Sequence, residues 1–481
     1  MKTPIKHFKI YLALLVLSLS SLVSACSSND GDAVTPAIKV AQSELNFSGS
    51  GGTNGLSIQS NVALEVSSDQ SWCRVASATS ASATIYKYNV TVEANTDTED
   101  RKATLTVKGG GITETVIVKQ LAGSLPNVGM ESDATALAAK IYAGWNLGNT
   151  LEAIGGETAW GNPNVTEDMI KNIKKLGFNA VRIPCSWDQY LENQATNKIK
   201  DSWLARVDEV VGYCVANELY AIVNIHWDGG WLENNCTADK QEENNKKQKA
   251  LWTQIANTLN HYDEHLLFAG CNEPNVENAA QMKVLKSYEQ TFIDAVRATG
   301  GNNAVRNLIV QGPSTDIEKT DQLFGDMPTD VVENRLMVEV HYYNPWTFCG
   351  MEKDESWGKM VYFWGPYKVD GSDRNATFGD EVEMKGLFAR MKSRFVDKGI
   401  PVILGEYGAI VVRTGLGDDQ EAHDLSRSYF NEVVTREAKN YGLVPFYWDA
   451  GGMINRAAGT VKDQYGYDGI VKGAEAGNYP F

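Results

Sequence analysis

The sequence is poor in cysteine and in positive charge. Its seven cysteines among 481 residues are spaced neither as a zinc site nor as the framework of a small disulfide-rich domain. Cys185 and Cys271 fall inside apolar, strand-like runs, where a thiol is most often a small buried hydrophobe. Cys236 and Cys349 lie in loop-like sequence, and a bridge between them is the minority expectation, conditional on an oxidising compartment. Lys and Arg total 44 against 60 Asp and Glu, a formal charge of -16, which argues against nucleic acid or an anionic membrane surface as partner. No HExxH run and no calcium-loop spacing occurs, and "GLGDDQEAHD" reads as a solvated loop or helix face. After the first 25 residues no run is apolar enough to span a bilayer, and no short repeat or low-complexity tract stands out.

What is present describes a folded chain too long for one typical domain, with 43% hydrophobic and 22% charged residues. Its 12 Trp and 20 Tyr supply flat apolar faces that suit neutral sugars. Lys2, Lys6 and Lys9 precede an apolar run over 10–23. That run is shorter than the roughly 20 residues of a spanning helix, so residues 1–25 read as a signal peptide. Its end, Leu22, Val23, Ser24, Ala25 and Cys26, resembles a bacterial lipobox, and the resemblance implies cleavage before Cys26 and a lipid on its sulfur. The expectation is a monomer anchored to the outer membrane by a tether over 26–36. Asp30 and Asp32 hint at the cell surface.

Residues 37–122 are rich in Ser, Thr, Val and Gly, and short alternating runs such as "YNVTVEAN" and "ATLTVKG" end in turn residues. This pattern predicts a small all-β, immunoglobulin-like sandwich. With "SWCRV" at 71–75, "RKATLTV" at 101–107 and "VIVKQL" at 116–121, the segment resembles the BACON domain. The resemblance implies carbohydrate or mucin attachment. A spacer is the favoured expectation, since no cluster of exposed aromatics is legible. "GSLPNVGMES" supplies a linker over 123–131.

From 132 to 481 the pattern changes. Eight strand-like runs (143–149, 179–187, 219–227, 266–274, 307–313, 336–344, 401–409 and 444–451) alternate with amphipathic helical stretches. One is "TEDMIKNIKKLG", where Thr166 and Glu167 suit a helix start and Gly177 its end. Apolar strands alternating with helices predict a parallel sheet, and eight units are the count of a (β/α)8 TIM barrel in the α/β class.

In such a barrel the chemistry gathers where strands end. Those ends carry Asn146, Arg182, Trp187, His226, Trp227, Asn272, Glu273, His341, Tyr343, Glu406 and Trp448. Any one of them alone would be structural more often than not, but convergence from seven strands is not accidental. Glu273 and Glu406 stand out, because two carboxyl groups about 5–5.5 Å apart perform double displacement at a sugar carbon. At an effective dielectric of about 20, a negative charge some 5 Å away costs an ionising carboxyl roughly 3 kcal/mol, on the order of 2 pKa units. One carboxyl is therefore expected to start protonated beside an ionised partner.

"NEP" after the fourth strand, "HYY" after the sixth and "GEYG" after the seventh, with "GWNLGNTLEA" and "VRIP", resemble glycoside hydrolase family 5, within a clan of (β/α)8 retaining hydrolases. The resemblance implies that Glu273 is the acid/base and Glu406 the nucleophile. It implies that Arg182 and Tyr343 hold Glu406 ionised, that His341 supports the carboxylates, and that Asn272 meets the sugar 2-hydroxyl. His226 would line the cleavage subsite and Trp448 stack beneath its ring, with Asn146 as support. Many relatives carry a second histidine where this chain has Trp227, which enlarges a stacking surface. Trp187, Trp231, Trp346, Trp357 and Trp364 are further platform candidates, each as readily a packing residue. The implied activity is a retaining endo-β-1,4-glucanase acting on β-glucan without metal or cofactor. The alternatives are a xyloglucanase, a mixed-linkage glucanase or a mannanase. A non-catalytic glycan binder is a more distant reading, and an adhesin explains none of the strand-end residues.

Overall fold

The computed structural model describes residues 35–481 apart from 48, 50, 79–83, 96, 98, 121–128, 413 and 414. The expected leader, Cys26, most of the tether and most of the linker lie outside the described residues. Among the described residues no helix is long and apolar enough to cross a membrane.

The N-terminal region contributes eight strands: β1 (Ile38–Val40), β2 (Glu44–Phe47), β3 (Gly52–Ser60), β4 (Glu65–Ser68), β5 (Cys73–Ser77), β6 (Ile85–Val92), β7 (Arg101–Gly109) and β8 (Ile112–Gln120). They form two four-stranded sheets, ordered β1-β3-β6-β5 and β2-β8-β7-β4. Alternating residues such as Ile58 and Val90 from one sheet and Leu105 and Val118 from the other meet in one apolar core, the arrangement of a sandwich. Ile85 is the exposed large hydrophobe among its described residues. Trp72 is half-buried, with the Arg101 guanidinium 4.2 Å from its ring centre.

The second region is the expected closed barrel. Strands β9 (Gly144–Leu147), β10 (Ala180–Ile183), β11 (Tyr220–Asn224), β12 (Leu266–Ala269), β13 (Leu308–Gln311), β14 (Leu336–Tyr342), β15 (Val402–Tyr407) and β16 (Leu443–Asp449) pair in chain order, and β16 closes on β9. All eight pairings are parallel. The strands are shorter than the apolar runs that announced them. Pro184 has no N–H for the ladder, and β10 ends at Ile183.

Alternation divides each strand between two cores. Outward residues such as Val181, Val223, Phe268, Val340 and Leu404 pack in the large core that also holds helix residues. Inward residues at lower positions, including Ala180, Ile222, Leu267, Ile309, Met337 and Phe446, form a separate cluster with Leu137 and Ile141. Leu137 belongs to α1 (Ala134–Lys140), whose N-cap Asp133 accepts from Ala136 N at 2.8 Å. The barrel is thus filled from below by apolar side chains, each worth roughly 1.5–3 kcal/mol when buried. Helix α2 (Glu167–Lys175) starts and stops where the sequence indicated. Thr166 Oγ1 accepts from Met169 N at 3.2 Å, and Gly177 follows with φ +91°.

Candidate active site

Above the apolar layer the inward residues turn polar. On β10, Ala180 joins the lower cluster, and Arg182 faces the same interior two residues later. A fully buried guanidinium is costly unless paired, and here it has several partners. Arg182 Nη1 donates to Glu406 Oε1 at 2.8 Å and to Asn146 Oδ1 at 3.0 Å, and Nη2 donates to Asn272 Oδ1 at 2.8 Å. Its Nε forms an ion pair with Glu339 Oε1 at 2.9 Å. Asn146 is fully buried and donates to Gly405 O at 2.8 Å. It braces Arg182 and the strand that carries Glu406 from a position closed to solvent.

Glu339 was not singled out in the sequence. It lies on β14 two residues before His341 and so faces the same interior, which is the signal that would have found it. Gln311 Nε2 donates to Glu339 Oε2 at 2.6 Å, and His341 Nε2 lies 3.3 Å from Oε1.

Glu406 reaches the mouth through a β-bulge. His341 pairs with Glu406 although Val340 pairs with Leu404, and the same extra residue appears against β16. Strict alternation would point Gly405 inward and Glu406 outward; the inserted residue re-aims the carboxylate. Only glycine fits there, since a Cβ on Gly405 would lie 1.9 Å from Glu339 Oε1.

His341 links the acids. Its Nδ1 lies 2.7 Å from Glu273 Oε1 and 3.7 Å from Glu406 Oε2. Burial works against its charge, but Glu406, Glu273 and Glu339 outweigh burial and raise it to about 10, so an imidazolium stands between the acids at neutral pH. Tyr343 Oη donates to Glu406 Oε2 at 3.1 Å. One oxygen each of Glu273 and Glu406 and one nitrogen of His341 lie within 4.8 Å of one another. Metal ligands are spaced in this way, yet the cations of Arg182 and His341 already pair with these carboxylates, which disfavours a further cation.

The resting order of acidities differs from the expectation. Burial pushes the Glu406 carboxyl up against the charges of His341 and Arg182. Burial also pushes on Glu273, but the His341 hydrogen bond and the His341 and Arg182 charges prevail, and Glu273 is lowered. Groups this close share their protons as a pair. The pair is not symmetric in access: 43% of the Glu273 side chain is exposed and 7% of Glu406.

Around the pair stands an aromatic wall. His226 stacks on Trp448, with ring centres 5.5 Å apart and planes 9° from parallel. Burial first, then Arg182 and His341, hold the imidazole of His226 neutral. Asn224, whose Oδ1 accepts from Cys185 N, turns its Nδ2 toward His226 Nδ1 at 3.3 Å, which leaves the proton on Nε2. Trp227 has φ 31°, an unusual backbone conformation of the kind that gathers at functional loops, and is 45% exposed. Buried Asp228 anchors that loop by accepting from Ser186 Oγ, Trp187 N and Trp231 Nε1.

The platform candidates divide. Trp187 and Trp364 are core residues whose indole N–H groups donate to Asn224 O and Gly379 O. Trp231 is partly buried beneath Lys247. Trp346 and Trp357 are exposed on the loop after β14, and Trp160, absent from the sequence-based candidates, is exposed on the loop after β9. The exposed tryptophans among the described residues, Trp160, Trp227, Trp346 and Trp357, all stand on loops that follow barrel strands. All six described cysteines are free and buried, Cys236 and Cys349 included.

Comparison with known proteins adds the following. Residues 146–453 match the family model for cellulase (glycosyl hydrolase family 5), and residues 62–121 match the BACON model, a putative binding domain. A xyloglucan-specific endo-beta-1,4-glucanase from Bacteroides ovatus is 36% identical over 97% of this chain and 96% of its own length. Endoglucanase A of Paenibacillus barcinonensis is 35% identical over 71% of this chain and 90% of its own. The crystal structure of a xyloglucan-specific beta-1,4-glucanase from a ruminal metagenomic library superposes with a TM-score of 0.68 at 39% identity, covering 73% of this chain and 98% of that one.

Proposed function

From the premise that the chain belongs to glycosyl hydrolase family 5, we infer that it is a retaining endo-β-1,4-glucanase. The observation that carries the reading is the approach of Glu273 and Glu406 oxygens within 4.8 Å. Inverting enzymes space their carboxyls about 6.5–9.5 Å apart to admit a water, whereas retaining ones bring them close.

Glu406, aimed by the bulge and by Arg182 and Tyr343, attacks the anomeric carbon. The glycosidic C–O bond breaks as Glu273 gives its proton to the departing oxygen. A sugar over Glu273 displaces the water that now reaches it, and drying raises a carboxyl, so the proton shared by the pair passes to Glu273 and leaves Glu406 ionised for the attack. The glycosyl ester on Glu406 is neutral, so the field opposing ionisation of Glu273 falls. Glu273 then takes a proton from water, whose oxygen attacks the same carbon and frees Glu406. Asn272 meets the 2-hydroxyl, and Trp448, backed by neutral His226, supports the ring's apolar face.

Within this activity the substrate is a decorated glucan of the xyloglucan type. The support is the Bacteroides ovatus relative, which aligns across both regions of the chain. Reducing-end release from xyloglucan, carboxymethylcellulose, mixed-linkage glucan and mannan tests it. Xyloglucan is expected to give the highest rate; activity confined to mannan rejects the glucanase reading.

The lipid anchor on Cys26, outer-membrane display, a monomeric state and a spacer role for the sandwich complete the proposal. The leader sequence supports the anchor, and the near absence of exposed aromatics on the described sandwich supports the spacer. Cys26→Ser is expected to move the enzyme to the soluble fraction; unchanged membrane partition would sink the anchor. Binding of the full chain to glycans with the cleft blocked would sink the spacer.

A further inference from the structure

We propose that Glu233, on the loop after β11, is a positioning residue for the acid/base. It fixes the main chain of Glu273. The inference rests on the hydrolase reading and deepens it.

The segment after β12 that carries Asn272, Glu273 and Pro274 has no strand partner of its own. A buried backbone N–H needs an acceptor, and for Glu273 N it is Glu233 Oε1 at 2.8 Å. Glu233 is 5% exposed. Its carbonyl accepts from Asn275 N at 2.8 Å, and neighbouring Asn234 Oδ1 accepts from Asn275 Nδ2 at 2.6 Å. The two loop residues therefore hold the acid/base segment on both sides of Pro274.

Arg182 settles which way the neighbouring Asn272 faces. Asn272 Oδ1 is taken by Arg182 Nη2 at 2.8 Å, so its amide N–H group turns away from the guanidinium. Turned that way, Asn272 keeps its amide N–H group for the sugar 2-hydroxyl. Burial pushes Glu233 up to about 7, opposed first by the Glu273 N–H. An acceptor is thus kept in a dry place where an apolar side chain would pack at less cost.

A misplaced acid harms substrates that need protonation of the leaving group and spares those that do not. The test compares kcat/KM for phenyl and 2,4-dinitrophenyl β-cellobioside in the native chain, Glu233→Met, Glu233→Asp and Glu233→Ala, with thermal melts as a folding control. In folded Glu233→Met, which has no oxygen to accept from the Glu273 N–H, the phenyl substrate is expected to lose at least about tenfold more than the dinitrophenyl substrate. Glu233→Asp is expected to recover part of that ratio. Equal losses on both substrates, or none, would overturn the proposal, and Glu233→Met keeps the test available if Glu233→Ala does not fold. A native chain that turns over neither substrate and releases no reducing ends from the polysaccharides overturns the hydrolase reading itself, and the positioning role with it.

Discussion

Glu406 and Glu273 come from the seventh and fourth strands of one ring and are held by different means. Glu406 is almost fully buried on a bulged strand, with Arg182 below it and Tyr343 beside it. Glu273 stands past the end of its strand, is 43% exposed, and is held by His341 on its side chain and by Glu233 on its backbone. The contrast matches the work proposed for each. A nucleophile must meet one carbon along one line, and precise orientation is most of its advantage. The acid must serve a sugar oxygen and then a water, so it faces the cleft.

That contrast can be broken from either end. Glu406→Ala should lower kcat on polysaccharide on the order of 10⁵-fold, and turnover equal to the native chain would refute the assignment. Glu273→Ala should cost about 10²–10⁴-fold on the same polymer while largely sparing kcat/KM for a dinitrophenyl glycoside, a split that Glu406→Ala should not show. Arg182→Met should cost about 3–5 kcal/mol of stability in denaturant unfolding, since it strands buried acids. A loss below about 1 kcal/mol would mean that the Glu406 side is not anchored as described.

His341 gives a pH signature. Its folded value of about 10 lies above the unfolded value of about 6.5, so the folded chain binds more protons between the two. The stabilisation is fully present below about pH 6.5 and disappears as pH rises through about 10. His341→Gln should flatten this part of the stability profile; an unchanged slope would place the charge elsewhere. The smallest effect is expected from Trp346→Ala. Loss of an exposed platform worth about 0.5–1.5 kcal/mol should raise KM roughly two- to tenfold with kcat little changed.

Much of this was legible in the sequence, because each barrel strand is an apolar run ending in a polar residue, and periodicity survives in a single chain. The carboxylates, Arg182, His341 and Tyr343 all meet where the strand ends implied. Glu339 and Glu233 were missed for different reasons. Glu339 hides inside an apolar strand, and two-residue spacing from His341 was its only mark. Glu233 acts through a backbone N–H forty residues away, a contact with no local signature. The tryptophans divided into core and surface for a similar reason: whether an indole is buried at Trp187 or open at Trp346 depends on neighbours distant in the chain. The expected protonation of Glu273 was argued from one neighbouring charge, whereas the site also contains two cations.

The extra residue at Gly405 matters to anyone wishing to transplant this chemistry. An idealised barrel with uninterrupted pairing would receive the same strand letter for letter and send its nucleophile out among the helices. In such a scaffold the acidic side chain would have to occupy the glycine's place, and Glu339 beneath it would have to be exchanged for something smaller.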